Sequence, residues 1–387
     1  MNKNVEKLKV ILIDPWGTAN TSEYLSGLIY GLCPIVNVEV FTNRYFTPKV
    51  PLNANIHAIF FKRTEKMSGG IFRKGLRGIE YIMGYMKIFN FLKECGPVDI
   101  VHINWLLNYK MDIWFLKAIR KYTKKIVYTA HNVLPHINGE QYIRQLKQIY
   151  SICDRIILHG ESIKKEFEYY FPDEAQKVYI QKHGSNLRPE VDYDETQISE
   201  KIKTKVKSYK NRYLFLGRVF YNKGPDRLLA SWKKEWNDSL LIIAGHRDGI
   251  YPELAKYDDK ISKADNILEI NDFIEENTLR FLIDNSELIL LPYRHASMSG
   301  VVFTAADFRK PILCTNVGAL PEYLLCNEDS FIVDNSDEAF FEMLTYIHNN
   351  ISKKELVRMG ENLNRNISMK CSWAIVAQKL VSECYKD

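Results

Sequence analysis

The chain has 387 residues, of which 46% are hydrophobic and 26% charged, and this balance excludes a disordered or low-complexity protein. Its length favours two domains over one. No stretch of about 18 uncharged apolar residues occurs, so the sequence predicts no transmembrane helix, and its polar start does not resemble a signal peptide. The seven cysteines are scattered without a C-x-x-C pair, which disfavours a zinc site or a disulfide framework and favours a reducing cytoplasm.

Positive charge is concentrated in the first half of the chain. Residues 1–190 hold 27 Lys and Arg against 17 Asp and Glu, whereas the remainder holds 26 against 30. A basic half suggests an anionic partner such as a membrane surface, a lipid pyrophosphate or nucleic acid. Ordinary solvated lysines would explain the same excess, so both interpretations stay open. No recognised nucleic-acid module is present, and we expect no nucleic-acid partner.

Short apolar segments rich in β-branched residues alternate with amphipathic segments in the first half. The predicted strands are 9–13, 36–41, 56–61, 99–103, 125–129, 155–158 and 178–181. The predicted helices are 21–32, 78–94, 114–122, 142–153 and 162–171. A series of this kind predicts a doubly wound parallel sheet.

A second series of the same kind follows a polar segment at 186–210, which is predicted to be a linker. Its predicted strands are 212–216, 239–244, 267–270, 288–291, 311–315 and 331–333, and its predicted helices are 226–236, 277–285, 300–308 and 338–349. We therefore expect an α/β fold with two Rossmann-like, doubly wound parallel-sheet domains that face a central cleft. The predicted domains are 1–190 and 205–365, with a helix at 366–387 that packs back towards the first domain.

The loop after strand 212–216 carries the first candidate group. Gly217 allows close approach of the backbone, and Arg218 and Lys223 lie five positions apart on the loop. The planar fork of an arginine and the point charge of a lysine together suit a diphosphate. The competing interpretation is two ordinary surface cations.

The segment after strand 288–291 carries the second candidate group. Small residues lead into a helix that is predicted to begin near Ser299. The start of a helix offers free amide groups and a positive dipole end to a phosphate. The competing interpretation is a serine that only caps the helix.

Five segments in order carry a family resemblance: "VYTAHNVLPH", "FLGRVFYNKG", "LIIAG", "LILLPY" and "SGVVFTAADFRKPILCTNVGALPE". Together they resemble retaining glycosyltransferases of the GT-B fold, in the large glycosyltransferase family 4 (group 1). The resemblance covers most of the chain and is strongest over residues 212–325.

The resemblance implies roles for residues that match the family's motifs. Arg218 and Lys223 would hold the donor diphosphate together with the helix start at Ser299, Gly300 and Val301. The nucleotide base would lie in the loop formed by Asn271, Asp272, Phe273 and Ile274. His131 would lie near the transferring sugar, and Gly17 would let acceptor and donor approach each other.

The sequence departs from the family where two glutamates eight positions apart are usual. The second position, which commonly holds the ribose, is Thr304 here, and the first falls on Ala296 or His295. Neither position is acidic. A neutral Thr304 could still bind the ribose. The first position contacts the donor sugar, so the departure at Ala296 or His295 leaves the identity of the sugar open.

The resemblance implies front-face attack with retention, in which the donor phosphate takes the acceptor's proton. Arg218 and Lys223 would then stabilise the leaving diphosphate as a metal does elsewhere. No Asp-x-Asp motif occurs in a plausible site, so we predict neither a metal nor a cofactor. The co-substrate would be a UDP- or GDP-sugar.

Four residues are predicted to line the acceptor side: Trp16, Gly17, Asn104 and Trp105. For Trp105 the competing interpretation is an ordinary packed tryptophan. The basic segments 73–77 and 117–125 could contact anionic lipid headgroups, and a solvated basic face is the alternative. This predicts a cytoplasmic protein that can lie peripherally on the inner face of the cell membrane.

These inferences together predict a hexosyltransferase that acts on a glycan or lipid-linked acceptor in surface polysaccharide or glycoconjugate synthesis. A catalytically inactive relative that binds nucleotide-sugars is the main alternative, because the family glutamates are missing. A phosphorylase would need a lysine for pyridoxal phosphate, and an epimerase would need a set of cleft carboxylates, and we recognise neither.

Overall fold

A computed structural model of the chain describes residues 7–18, 21–135, 138–187, 193–247 and 251–386. The chain divides into two compact units, of which the first comprises residues 1–189 with 370–387 and the second comprises residues 190–369. Within the described residues, none of the helices has the length and apolar character needed to cross a bilayer.

The first unit is built on a parallel sheet of buried, β-branched strands. Over the described residues its strands are β1 (Lys9–Asp14), β2 (Asn37–Asn43), β3 (Asn55–Phe60), β4 (Val98–Ile103), β5 (Thr123–Thr129), β6 (Arg155–Leu158) and β7 (Val178–Ile180). They lie in the order β3-β2-β1-β4-β5-β6-β7. All pairs are parallel, so the carboxyl ends of the strands share one edge.

The second unit repeats this architecture. Its described strands are β8 (Asn211–Leu216), β9 (Ser239–Ala244), β10 (Ile267–Ile270), β11 (Leu288–Leu291), β12 (Ile312–Thr315) and β13 (Ser330–Val333). They lie in the order β10-β9-β8-β11-β12-β13 and are again all parallel. The prediction of two doubly wound parallel-sheet domains is confirmed.

Helices follow the strands in both units. They are α1 (Thr21–Leu32), α2 (Ile71–Cys95), α3 (Tyr109–Ile119), α4 (Ile143–Ile152), α5 (Glu161–Tyr170), α6 (Glu200–Lys207), α7 (Pro225–Ser231), α8 (Pro252–Ala255), α9 (Asp258–Lys263), α10 (Glu276–Asp284), α11 (Val301–Asp307), α12 (Leu320–Tyr323), α13 (Asp337–Asn350), α14 (Lys353–Cys371) and α15 (Trp373–Lys379).

Several of these helices differ from the sequence-based expectation. Helix α3 begins at Tyr109, before the predicted start at 114, and α7 ends at Ser231, before the predicted end at 236. Helix α2 begins seven residues before the predicted start at 78, in a stretch whose exposed apolar residues obscure the helical period. Helix α6 lies inside the segment that was predicted to be a linker. A single buried residue, Val206, anchors this short and highly charged helix, so its apolar pattern is too weak to be recognised.

The core of the first unit includes the end of the chain. Trp373 on α15 is buried, and its indole Nε1 donates to the carbonyl oxygen of Ser185 at 2.6 Å. A side chain at Gly27 would come within 1.9 Å of the Trp373 ring, and one at Gly31 within 2.3 Å of its carbonyl oxygen. The small surface of α1 is therefore what admits α15.

Candidate functional site

The loops of the second unit that carry predicted site residues leave the sheet at its carboxyl edge. Gly217 follows β8, Asn271 follows β10, and Pro292 follows β11. Gly217 has a φ of 125°, a conformation that side chains rarely adopt, and a Cβ at neighbouring Gly245 would lie 1.9 Å from the Gly217 oxygen. The backbones after β8 and β9 therefore pass in direct contact.

Main-chain and side-chain bonds join the loop after β8 to the loop after β11. The amides of Arg294 and His295 donate to the Asn222 carbonyl at 2.8 and 3.3 Å. The Arg294 guanidinium bonds both oxygens of Asp226, at 2.7 and 2.8 Å. Burial opposes ionisation of Asp226, but hydrogen bonds from Arg294 and Tyr251 outweigh it and lower the pKa of this carboxyl.

Lys223 and Ser299 are brought together through a tyrosine between them. The Lys223 Nζ lies 3.7 Å from the centre of the Tyr293 ring, and the Tyr293 hydroxyl lies 3.0 Å from the Ser299 Oγ. Ser299 and Tyr293 are both buried. The two candidate groups of the sequence analysis are thus neighbours in one unit.

The structure modifies the expected start of the helix. Helix α11 begins at Val301, with Gly300 at its N-cap and no side-chain capping bond. Ser299 directs its hydroxyl to Tyr293 instead of capping the helix, so the simple cap interpretation is wrong. The Val302 amide donates to the Ser299 carbonyl at 3.2 Å, in a tight first turn.

The remaining predicted donor residues lie on the same two loops and on helix α11. The Arg218 guanidinium lies 5.6 Å from the Phe220 ring. The Thr304 Oγ1 lies 3.4 Å from the Gly300 oxygen, within its own helix, and His295 is exposed.

The predicted base-binding loop follows β10 and is open to solvent. The Asn271 Oδ1 accepts a bond from the Arg247 amide at 2.8 Å, which fixes the start of the loop against the segment after β9. Asp272 and Phe273 are exposed, and Ile274 is half-buried. The roles of these residues in binding a base stay predictions.

In the first unit, the predicted acceptor residues gather around a buried carboxylate. Asp14 ends β1, and its Oδ1 accepts bonds from the amides of Trp16 at 3.0 Å and Gly17 at 2.9 Å. Gly17 has a φ of 44°, and a Cβ there would come within 2.2 Å of the Thr42 Oγ1. A glycine is therefore required at this turn for steric as well as conformational reasons.

Asn104 and His131 lie beside that carboxylate. The Asn104 amide nitrogen donates to the Asp14 Oδ2 at 2.6 Å, and the Asn104 Oδ1 lies 3.3 Å from the His131 Nε2. The Trp105 ring lies 4.8 Å from the His131 ring, and the rings of Trp105 and Trp16 lie 6.3 Å apart. The four predicted acceptor residues and His131 are thus one cluster.

The cluster also contains residues that sequence reasoning missed. The Tyr24 ring makes edge contacts with His131 and His183 at 4.8 Å and with His159 at 5.4 Å. Burial, reinforced by the charge that neighbouring histidines would carry, holds the pKa of His131 well below its ordinary value. The imidazole is therefore neutral at pH 7.

A positional signal could have identified some of the missed residues. Asp14, His159 and His183 follow or end strands at the same edge as Asn104 and His131, as Tyr293 and Arg294 do in the second unit. Tyr24 gives no such signal, because it lies within α1 on a buried face.

Known proteins support the family resemblance. Residues 210–350 match the family model described as Glycosyl transferases group 1. The resemblance of this chain to group 1 glycosyltransferases is confirmed. No curated protein matches the sequence.

Solved structures with low sequence identity share the whole fold. HepE of Anabaena in complex with UDP aligns with a TM-score of 0.68 at 12% identity, over 98% of this chain and 100% of that one. Sucrose-phosphate synthase of Thermosynechococcus elongatus aligns with a TM-score of 0.71 at 14% identity, over 97% of both chains. The catalytic domain of starch synthase IV of Arabidopsis thaliana, bound to ADP and acarbose, aligns with a TM-score of 0.71 at 11% identity, over 98% of this chain and 99% of that one. The fold is that of the GT-B glycosyltransferases.

Proposed function

We propose that the protein is a metal-independent glycosyltransferase that moves a hexose from a UDP- or GDP-sugar to a glycan or lipid-linked acceptor, with retention of configuration. The second unit would bind the donor, and the first unit would contact the acceptor and supply His131. The product would belong to a surface polysaccharide or glycoconjugate.

One observation carries the proposal: Lys223 and Ser299 meet through Tyr293. A diphosphate needs positive charge and several donors within a small space. The ammonium of Lys223, the guanidinium of Arg218 on the same loop and the start of α11 would supply both, on two loops that are bonded together at Asn222. Relatives of the same fold that were solved with UDP, UDP-glucose or ADP support a nucleoside diphosphate as ligand.

The chemistry we propose follows from these groups. As the donor's anomeric bond breaks, negative charge grows on the diphosphate, and Arg218 and Lys223 stabilise it. The attacking hydroxyl gives its proton to the donor phosphate. Neutral His131 holds a sugar hydroxyl by a hydrogen bond, since its lowered pKa keeps a lone pair on the ring.

The test removes each cation separately. We expect Arg218→Ala and Lys223→Ala to lower sugar transfer by about 100-fold or more and to weaken the stabilisation of the protein by UDP or GDP. The matched controls are Arg358→Ala and Lys234→Ala, at exposed positions of the same unit. Wild-type turnover in both site variants would exclude this site, and loss of transfer on chelation with EDTA would exclude metal independence.

An inactive nucleotide-sugar-binding protein is the second candidate. Thr304 stands where the family has the ribose-binding glutamate, and its hydroxyl lies within its own helix. Calorimetry would then show binding of nucleoside diphosphates that depends on Lys223, without transfer or donor hydrolysis for any acceptor tested. Transfer to one acceptor excludes this candidate.

The proposed partner of the first unit is an anionic membrane surface. Helix α2 presents a row of exposed apolar side chains, with Ile71 90% and Phe72 76% exposed, and the exposed lysines Lys74 and Lys87 lie on the same helix. Apolar and cationic groups together favour an anionic lipid interface. The arginines of the basic segment 73–77 are engaged within the unit, because Arg77 pairs with Glu65 at 2.8 Å and the Arg73 Nε donates to the Thr64 carbonyl oxygen at 2.8 Å.

A further inference from the structure

A fully buried carboxylate organises the cluster in the first unit. Asp14 uses Oδ1 to accept two amides of the following turn and Oδ2 to accept the Asn104 side chain at 2.6 Å. Asp14 and Asn104 are both inaccessible to solvent. Burial raises the pKa of Asp14 to about 6, and its hydrogen bonds with Asn104 and the turn oppose that shift, so the group is mainly ionised at pH 7.

The orientation of the Asn104 amide follows from this carboxylate. An ionised carboxylate can only accept hydrogen bonds, so the nitrogen of Asn104 must face Asp14. The Asn104 Oδ1 then faces the Nε2 of His131, at 3.3 Å. An amide oxygen also can only accept, as can the main-chain carbonyl of Asn104, which also bonds this imidazole. The contact with Oδ1 therefore requires the imidazole's proton on Nε2.

The neutral imidazole is thereby limited to one tautomer. With the proton on Nε2, Nδ1 keeps its lone pair and is the ring's hydrogen-bond acceptor. The neighbouring ring of Trp105, 4.8 Å away and tilted by 30°, restricts rotation of the imidazole out of this arrangement. The same carboxylate also fixes Trp16 and Gly17, so one buried group controls both the turn and the histidine.

We propose that Asp14 is a positioning residue that acts through Asn104 to set the tautomer of His131, and so determines which ring nitrogen accepts a substrate hydroxyl. Its consequence for sugar transfer rests on the proposed function, in which His131 contacts the transferring sugar. The tautomer itself does not depend on that function.

The variant Asp14→Asn tests the proposal with almost no change in shape. The introduced amide still accepts the Trp16 and Gly17 amides through its oxygen, but its nitrogen now faces Asn104. The Asn104 amide must then rotate and present its nitrogen to His131. The imidazole is forced to accept at Nε2 and to move its proton to Nδ1.

The double variant Asp14→Asn/Asn104→Asp should reverse this switch. The carboxylate introduced at position 104 accepts from the new amide at position 14 and from the His131 Nε2–H. The total charge of the pair equals that of the wild type. A purely structural role of Asp14 predicts no such restoration of the tautomer.

The decisive measurement is 15N NMR of the imidazole nitrogens in the full chain labelled on histidine, with the His131 signals assigned by their loss in His131→Gln. We expect the Nε2–H tautomer in the wild type, the Nδ1–H tautomer in Asp14→Asn, and Nε2–H again in the double variant. The control is Asp99→Asn, which removes an exposed pair with Lys124 in the same unit and should leave the tautomer unchanged.

Two results would overturn the proposal: an Nδ1–H tautomer in the wild type, or an unchanged tautomer in a folded Asp14→Asn. The wild-type measurement remains decisive if that variant does not fold. In transfer assays we expect Asp14→Asn to lower kcat by about tenfold or more with little change in the donor KM, and the double variant to recover it. An inactive wild type that shows the expected tautomers would contradict the proposed function and leave the role of Asp14 intact.

Discussion

The pair formed by Asp226 and Arg294 determines how two loops of the second unit meet. Arg294 is held on its other side by the Asn335 amide, which donates to the Arg294 carbonyl at 3.0 Å, and its guanidinium also donates to the Tyr221 carbonyl at 3.1 Å. The hydrogen bond to Asp226 raises the pKa of Arg294. These contacts hold the two loops so that Lys223 lies beside Tyr293. The ammonium of Lys223 takes no part in them.

We expect Arg294→Lys to weaken binding of the nucleoside diphosphate by about tenfold, because a lysine cannot form the two parallel bonds to Asp226. The control is Arg212→Lys, which breaks a similar pair with Glu287 at the amino end of β8. Both variants should cost about 1–3 kcal/mol of unfolding free energy. Calorimetric titration with UDP and GDP measures the difference in affinity between the two variants. Equal affinity would contradict the role of Arg294.

At the scale of elements, α2 is the helix that departs most from an ordinary surface helix. Its inner face packs Tyr81 and Tyr85 in the core, and the close contact of Gly84 with the Phe60 ring brings the helix against β3. Its outer face exposes Ile79, Ile82, Met83 and Met86 in addition to its first two residues. A helix that is apolar on both faces is what the proposed contact with a membrane surface requires.

We expect the double variant Phe72→Ser/Ile79→Ser to reduce binding to vesicles that contain phosphatidylglycerol by about tenfold or more, because it removes two inserting side chains. The control is Tyr169→Ser on α5, where the tyrosine is 80% exposed in the same unit. Co-sedimentation with anionic and with neutral vesicles measures both effects. Equal binding of the double variant and the control would exclude α2 as the contact surface.

At the scale of the whole molecule, ionisable groups are buried unevenly between the two units. Among the described residues of the first unit, four histidines have a pKa that is lowered mainly by burial: His102 to about 3, His159 to about 4, His183 to about 3, and His131 well below its ordinary value. The unfolded chain binds protons on these residues below about pH 6.5, and the folded chain does not. The unfolding free energy therefore decreases as the pH falls.

We expect the unfolding free energy to fall by on the order of 2 kcal/mol between pH 7 and pH 5.5. Below pH 6.5, each of these histidines lowers the unfolding free energy by about 1.4 kcal/mol for each pH unit. Asp14 and Asp112, whose pKa values burial raises to about 6 and about 7, act in the opposite direction, because their protonation favours the folded state.

Urea unfolding at several pH values measures the slope of the unfolding free energy against pH. His102→Gln should flatten it, because His102 is fully buried between Tyr385 and Thr129. His246→Gln, at an exposed position, should not. A slope that is the same in all three proteins would contradict the assignment to buried histidines.

The sequence by itself determined the class of fold and the order of strands along the chain, because buried parallel strands and amphipathic helices leave periodic patterns within a few residues. It also indicated Arg218, Lys223 and Ser299 as candidates, because they lie on the segments that follow such strands. The helical extension of α2 and helix α6 were not predictable, since their local patterns are irregular or too short.

Only the tertiary structure decided which side chains meet. Tyr293 lies between Lys223 and Ser299, and Asp14 reaches Asn104 across neighbouring strands, 90 positions apart in the sequence. Such contacts depend on the register of strands and the depth of packing, which no local pattern of residues encodes. The positions of the charged loops were thus predictable from the sequence, whereas the hydrogen bonds between the loops are determined by tertiary packing.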